Sequence, residues 1–162
     1  MHIKTVITES QIKAIESLAY KIWYEYYIPI IGKAQVDYML KKFQSFVAIK
    51  EQINNGFLYF LCEHENSPVG YMSVDIKEEE LFLSKIYVDS VNRRKGYGKE
   101  MLAFLENLAK EKNLEKISLT VNKYNTGSIK IYEKVGFVIC KTVVKDIGKG
   151  FVMDDYLMEK RV

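Results

Sequence analysis

The chain has 162 residues, 48% of them hydrophobic and 28% charged, the proportions of a globular domain long enough to bury a core. That composition excludes a disordered chain, a collagen-like repeat and a disulfide miniprotein. With 24 Lys and Arg against 21 Asp and Glu, the net charge of +3 is too close to balance to call for a nucleic acid or an acidic membrane as partner.

Residues 2–7 (HIKTVI) alternate polar and apolar side chains, the period of a half-buried strand. Thr8-x-x-Gln11 reads as a capping box, and Ile12, Ile15, Leu18, Ala19 and Ile22 follow at helical spacing. Pro29 and Gly32 punctuate. Residues 34–55 carry Val36, Met39, Leu40, Phe43 and Phe46 on one side and predict one or two more helices, closed by Asn54-Asn55-Gly56. From Phe57 the texture changes. FLYFLCEH, a turn at Asn66-Ser67-Pro68 and VGYMSVDI predict a hairpin. Glu78-Glu79-Glu80 is a polar turn, and LFLSKIYV, apolar on both faces, predicts a central strand. Residues 97–112 carry a helical stripe of Met101, Leu102, Leu105, Leu108 and Ala109, and KISLTV (116–121) is a strand. Asn125 to Val135 predicts a short helix with Asn125 or Thr126 as N-cap and Gly136 just past its end. FVICKTVV and FVMDDYLMEK, around Gly148-Lys149-Gly150, are the last two strands. This order predicts one mixed α/β domain over residues 1–162, without linker or repeat. It disfavours a doubly wound sheet, which would alternate strand and helix throughout.

Met1 to Ser10 lacks the apolar core of a signal peptide, and no stretch approaches the roughly 18 apolar residues of a membrane span. Cys62 and Cys140 lie far apart in apolar runs, at no metal-ligand spacing, and are expected as buried, reduced thiols. With only His2 and His64 besides, no metal site is expected, and the location expected is cytoplasmic.

The chemistry begins at Arg93-Arg94-Lys95-Gly96-Tyr97-Gly98-Lys99, which follows a strand and opens a helix. Two glycines let the backbone turn tightly and leave its N–H groups open to a ligand. The helix start adds unpaired N–H groups and partial positive charge. Arg93, Arg94, Lys95 and Lys99 put cations where the dipole is already positive. That costs a few tenths to about 1 kcal/mol per charge unless an anion binds there. Other phosphate motifs do not fit. The dinucleotide fingerprint needs a third glycine where Met101 stands, and the P-loop needs Ser or Thr where Glu100 follows Lys99. A second element, Asn125-Thr126-Gly127-Ser128, opens the helix that carries Tyr132-Glu133-Lys134-Val135-Gly136-Phe137, and its spacing puts Asn125 and Tyr132 on one helical face.

Together these elements resemble the GNAT superfamily of acetyl-coenzyme A-dependent N-acetyltransferases. Arg93-x-x-Gly96-x-Gly98 is similar to the family's hallmark after its fourth strand, and Asn125, Tyr132, Gly136 and Phe137 match its pattern after the fifth. The resemblance implies a mixed, mostly antiparallel twisted sheet, splayed between strands four and five, with helices on both faces. It implies acetyl-CoA as cofactor, its pantetheine arm pairing with the backbone of Ile86, Tyr87 and Val88. Its pyrophosphate would lie on Arg93, Arg94, Lys95, Gly96, Tyr97, Gly98 and Lys99. Asn125 would contact the pantetheine, with Ser128 a further contact, and Tyr132 would stand near the thioester sulfur. A tyrosine, with an ordinary pKa of about 10, can protonate a thiolate of similar basicity. A backbone N–H near Val88 can stabilise the carbonyl oxygen as it gains charge.

The general base is not assigned by the resemblance. Several family members carry a Glu where Phe82 stands here, and Glu78, Glu79 and Glu80 read as a solvated turn. The family's acceptor site maps to Trp23, Tyr24, Tyr26, Tyr27, Tyr38 and Met39, facing Asp154, Asp155 and Tyr156. Aromatics with carboxylates suit an organic cation. This stretch and the Asp-Tyr-x-Met-x-Lys tail look like bacterial diamine and polyamine acetyltransferases. The expected function is acetyl transfer to a small-molecule primary amine, with no nucleic acid or membrane partner and a homodimer left open. The alternatives are a protein N-terminal or lysine acetyltransferase and a non-catalytic coenzyme A-binding module.

Overall fold

The computed structural model describes all residues, 1–162. They gather into two compact units, Met1–Asp75 with Lys85–Leu105, and Ile76–Ser84 with Glu106–Val162.

In the first unit, β1 (His2–Thr5) pairs antiparallel with β2 (Leu58–His64), and β2 with β3 (Ser67–Lys77). Between β1 and β2 lie α1 (Glu9–Tyr26), α2 (Ile28–Ile31), α3 (Lys33–Met39), a π-helical turn (Leu40–Gln44) and α4 (Phe46–Asn54). The capping box closes as expected. Thr8 Oγ1 accepts from the Gln11 N–H at 3.2 Å, and Gln11 Oε1 accepts from the Thr8 N–H at 3.0 Å. The apolar stripe of α1 is buried through Ile12, Ile15, Leu18, Ala19, Ile22 and Trp23. Pro29 lies inside α2, at a first-turn position where a missing N–H costs nothing. Residues 34–55 are divided by Ser45, whose extended backbone and side chain cap α4 at the Ala48 N–H. Phe60 of β2 meets Phe104 edge-on at 5.0 Å.

In the second unit, β5 (Lys116–Asn122) pairs antiparallel with β7 (Phe151–Arg161), and β7 with β6 (Val138–Gly148). The ladder between β4 (Glu80–Val88) and β5 is parallel and covers Glu80–Leu83 against Lys116–Leu119. Both strands run on beyond it, to Val88 and Asn122. The strand order is β1-β2-β3-β4-β5-β7-β6, so LFLSKIYV is central, with neighbours on both edges. This is the mixed, mostly antiparallel sheet that the resemblance implies, and its β4–β5 pair is parallel. α5 (Tyr97–Glu111) leads into β5, and α6 (Thr126–Lys134) into β6. Leu81, Leu83, Ala109, Ile117, Leu119, Phe137 and Met158 are buried.

Three expectations about the strands and cysteines need correction. The hairpin turn between β2 and β3 is made by Glu65 and Asn66, at φ of 50° and 61°, whereas Ser67 and Pro68 already pair with His64 and Glu63 as the start of β3. β6 does not stop at Val144, because Lys145 and Asp146 continue the ladder opposite Met153 and Val152. The hairpin turns only at Gly148-Lys149-Gly150, with φ of 96°, 52° and 79°. Cys140 is exposed, not buried, because the apolar run around it forms the edge strand β6; Cys62 is buried, and both thiols are free.

Candidate active site

β4 ends at Ile86, Tyr87 and Val88, all half-buried. Asp89 follows, 5% exposed, and receives Lys21 Nζ at 2.8 Å. Its N–H donates to the Val69 carbonyl at 2.9 Å, so the chain leaves the strand at a fixed point. The approach to β3 is tight, since a Cβ on Gly70 would fall 2.4 Å from the Tyr87 oxygen; only glycine fits there. A 3-10 turn (Ser90–Asn92) then delivers the loop that opens α5.

Within this loop Arg93 turns back. Its Nε donates to the Val88 carbonyl at 3.1 Å and its guanidinium lies over the Tyr26 ring at 5.1 Å. Arg94 and Gly96 adopt the left-handed region, with φ of 61° and 86°. Left-handed residues alternating along a turn make an anion-binding concavity of backbone N–H groups. A Cβ at Gly96 or Gly98 would meet no protein atom within 4 Å, so open space lies at both glycines beside the first turn of α5. Such a cradle, with exposed Arg94 and Lys99, fits a phosphate or pyrophosphate. Lys95 Nζ donates to Asn92 Oδ1 at 3.0 Å. Tyr97 has a buried side chain packed against His64 at 5.5 Å, which leaves its backbone as the part able to meet a ligand.

The residues expected at an acceptor wall divide. Trp23 and Tyr27 stack at 4.5 Å, and Tyr87 meets them at 5.8 and 6.3 Å. Tyr71 packs on Tyr87 at 5.2 Å and donates its hydroxyl to buried Gln44, at the end of the π-helical turn, at 3.0 Å. The strand expected to hold a cofactor and part of the wall expected to hold an acceptor thus share one aromatic cluster. Tyr24 stands apart on the outer face of α1, donating to Asp37 with Lys33 Nζ over its ring. Tyr38 carries Lys42 Nζ over its ring at 5.5 Å.

In the second unit, Asn125 is buried and caps α6, its Oδ1 accepting from the Ser128 N–H at 3.3 Å. This settles the cap between Asn125 and Thr126. The other end of α6 explains the Tyr-x-x-x-Gly-Phe spacing. Gly136, at φ 101°, donates its N–H to the Glu133 carbonyl at 3.1 Å, and Phe137 donates to the Tyr132 carbonyl at 3.0 Å. These are the two bonds of a Schellman motif, completed by the Tyr132–Phe137 ring contact at 5.7 Å. Asp154 pairs with Lys123 at 2.6 Å. Asp155 is buried, and its carboxyl is pushed up to about 6, by burial first and by the Asp154 charge second.

Of the three glutamates expected in a solvated turn, Glu78 and Glu79 are exposed, whereas Glu80 is the first residue of β4 and is bonded to Ser118 Oγ and Lys116. Lys85 escapes a reading of the sequence. It is 6% exposed, donates to Gln52 Oε1 at 2.7 Å and lies over the Tyr59 ring at 5.3 Å. Burial pushes its ammonium down to about 7. The available signal is its place on the buried phase of β4, in step with Leu81 and Leu83. No group of three His, Cys, Asp or Glu is placed to hold a metal ion, and no helix is long and apolar enough to cross a membrane.

Residues 18–137 match the model of the Acetyltransferase (GNAT) family. An uncharacterised N-acetyltransferase of Methanocaldococcus jannaschii is 29% identical over 101 residues, 58% of this chain. The chain spans only 42% of that relative's length. Among solved structures, the PaiA N-acetyltransferase of Thermoplasma acidophilum in complex with coenzyme A aligns over 100% of both chains, with a TM-score of 0.80 and 20% identity. A ribosomal-protein-alanine N-acetyltransferase of Brucella melitensis also aligns over 100% of both chains, with a TM-score of 0.72 and 25% identity.

Proposed function

Since the chain belongs to the GNAT family of acetyltransferases, we propose that it transfers the acetyl group of acetyl-CoA directly to a primary amine of a small molecule, a polyamine being the leading candidate. The observation that carries this reading is the loop Arg93–Lys99, with its left-handed turns and the open space at Gly96 and Gly98. Bound acetyl-CoA would supply an acyl thioester. The protein's own part is to hold, orient and move protons. Backbone N–H groups of residues 94–98 would hold the pyrophosphate, with Arg94 and Lys99 adding charge. Arg93 acts behind them: by binding the Val88 carbonyl it ties the end of β4 to the loop. Ile86, Tyr87 and Val88 would offer backbone groups to the pantetheine, and Asn125 and Ser128 would line it. Tyr132 would give its hydroxyl proton to the sulfur as the thiol leaves.

The Trp23–Tyr27–Tyr87 cluster supports this acceptor class, since aromatic rings are the groups that attract an organic cation. A second reading, acetylation of a protein N-terminus, draws on the full-length likeness to the ribosomal-protein-alanine acetyltransferase. One experiment separates them: acetyl-CoA turnover measured with spermidine, putrescine and a peptide bearing an N-terminal alanine. Turnover of the polyamines at least tenfold above the peptide supports the first reading, and the reverse supports the second. Binding of acetyl-CoA without turnover of any amine would leave a non-catalytic binding module.

A further inference from the structure

An amine acceptor arrives as an ammonium, with an ordinary pKa near 10, and only its free base carries the lone pair that attacks a thioester. Glu78 and Glu79 are exposed, and Glu80 is engaged by Ser118 and Lys116. Asp89 is held by Lys21, and Asp154 by Lys123.

Asp155 is different. It is 5% exposed and lies in β7 directly opposite Asn122, the last residue of β5. From Asn122 the chain runs within three residues to Asn125, the cap of the helix that carries Tyr132, and the Asn125 N–H donates to the Asn122 carbonyl at 2.9 Å. Residues opposed in an antiparallel ladder point to the same face, so Asp155 shares its face with Asn122 and with Thr120, which stands opposite Leu157. The Thr120 hydroxyl is its hydrogen-bond partner. On the neighbouring strand β6 the residue opposite Asp155 is apolar Val143, with Lys141 one step along that face. Lys123 attracts Asp155 through space but is bonded to Asp154. The result is a desolvated carboxylate without an ion pair of its own, beside the start of α6. Groups of this kind are the ones that take up protons near neutral pH.

We propose that Asp155 accepts the proton of the acceptor's ammonium and so serves as the general base of the transfer. The proposal rests on the acetyltransferase reading above. In the balanced sequence, the ammonium gives one proton to the Asp155 carboxylate, which later releases it to solvent. The freed nitrogen forms its bond to the thioester carbon and the carbon–sulfur bond breaks. The nitrogen loses a second proton to water, the sulfur gains the Tyr132 proton, and Tyr132 regains one from solvent. Amine and acetyl-CoA become amide and free coenzyme A, with one proton released overall.

The test uses the full chain, acetyl-CoA and whichever of spermidine or the alanine peptide the wild type acetylates. Asp155→Asn should lower kcat/KM by about 100-fold at pH 7 and leave the acetyl-CoA Kd and the Tm undiminished. The deficit should shrink as pH rises toward the acceptor's own pKa, where free amine no longer needs a base. Asp155→Glu should recover part of the rate. A wild-type rate in Asp155→Asn, or a loss equal at every pH and accompanied by weaker acetyl-CoA binding, overturns the proposal and leaves Asp155 as packing. A wild type that binds acetyl-CoA but acetylates nothing overturns the acetyltransferase reading itself, and this proposal with it.

Discussion

Tyr132 and Phe137 are joined twice, by a backbone hydrogen bond of 3.0 Å from the Phe137 N–H to the Tyr132 carbonyl and by an edge contact of their rings at 5.7 Å. The side chain assigned to proton donation is therefore aimed by the termination of its own helix. Losing the hydroxyl and losing the aim can be separated by mutation.

Tyr132→Phe removes only the hydroxyl. The ring keeps its contact with Phe137 and the helix end keeps its two bonds. The expected outcome is a fall in kcat of roughly tenfold to a thousandfold, with the acetyl-CoA Kd and the Tm unchanged. Steady-state kinetics and a binding titration check it; an unchanged kcat removes Tyr132 from the proton transfer.

Gly136→Ala attacks the aim. The residue sits at φ 101°, and a Cβ there would also meet the Lys160 side chain at 3.4 Å. A left-handed non-glycine residue costs roughly 1–2 kcal/mol. The Tm should drop by about 3–6 °C in a thermal melt. A melt identical to wild type would show that the helix end tolerates a side chain.

Gly98→Asp puts a side chain and a negative charge into the space beside the first turn of α5. No protein atom stands in its way and no positive φ is required there, so folding should be unaffected. Acetyl-CoA binding should be lost, as isothermal titration would show. Retention of wild-type Kd would remove the loop as the pyrophosphate site.

The burial of Lys85 should make stability depend on pH. Burial lowers its pKa from 10.5 to about 7, so between these values the unfolded chain binds a proton that the folded chain does not. Stability from this group therefore rises with pH across that window, by up to about 1.4 kcal/mol per pH unit, and its cost is greatest below pH 7. Lys85→Met, which keeps the volume and removes the charge, should raise the Tm at pH 6 and give little at pH 10. Equal shifts at both pH values would mean that the ammonium is solvated or paired.

The parts of the site that could be read in advance are those where the backbone itself is unusual. Gly96 and Gly136 occupy left-handed conformations that few residues tolerate, so the loop and the helix end leave a mark in the sequence. Thr8 and Gln11 mark the start of α1 in the same local way. What escaped depends on distant partners. The burial of Lys85 needs Gln52, 33 residues earlier, and a lysine in an apolar run otherwise reads as one that reaches solvent. Tyr24 looks equivalent to Trp23 and Tyr27 by neighbourhood, yet its position on α1 turns it outward to Asp37. Asp155 and Asp154 are adjacent in sequence, but strand alternation sends them to opposite faces, so one is paired with a lysine and the other desolvated.

The exposed edge strand makes the chain a ready-made single-label molecule. Cys62 is fully buried with its thiol pushed up to about 12, while Cys140 lies exposed on β6, its pKa raised by desolvation and then by Glu159. A maleimide dye should therefore attach at one position, slowly at neutral pH and faster in mild alkali. The native chain can thus carry one fluorophore at a defined place, outside every residue assigned to acetyl transfer, with no cysteine added or removed.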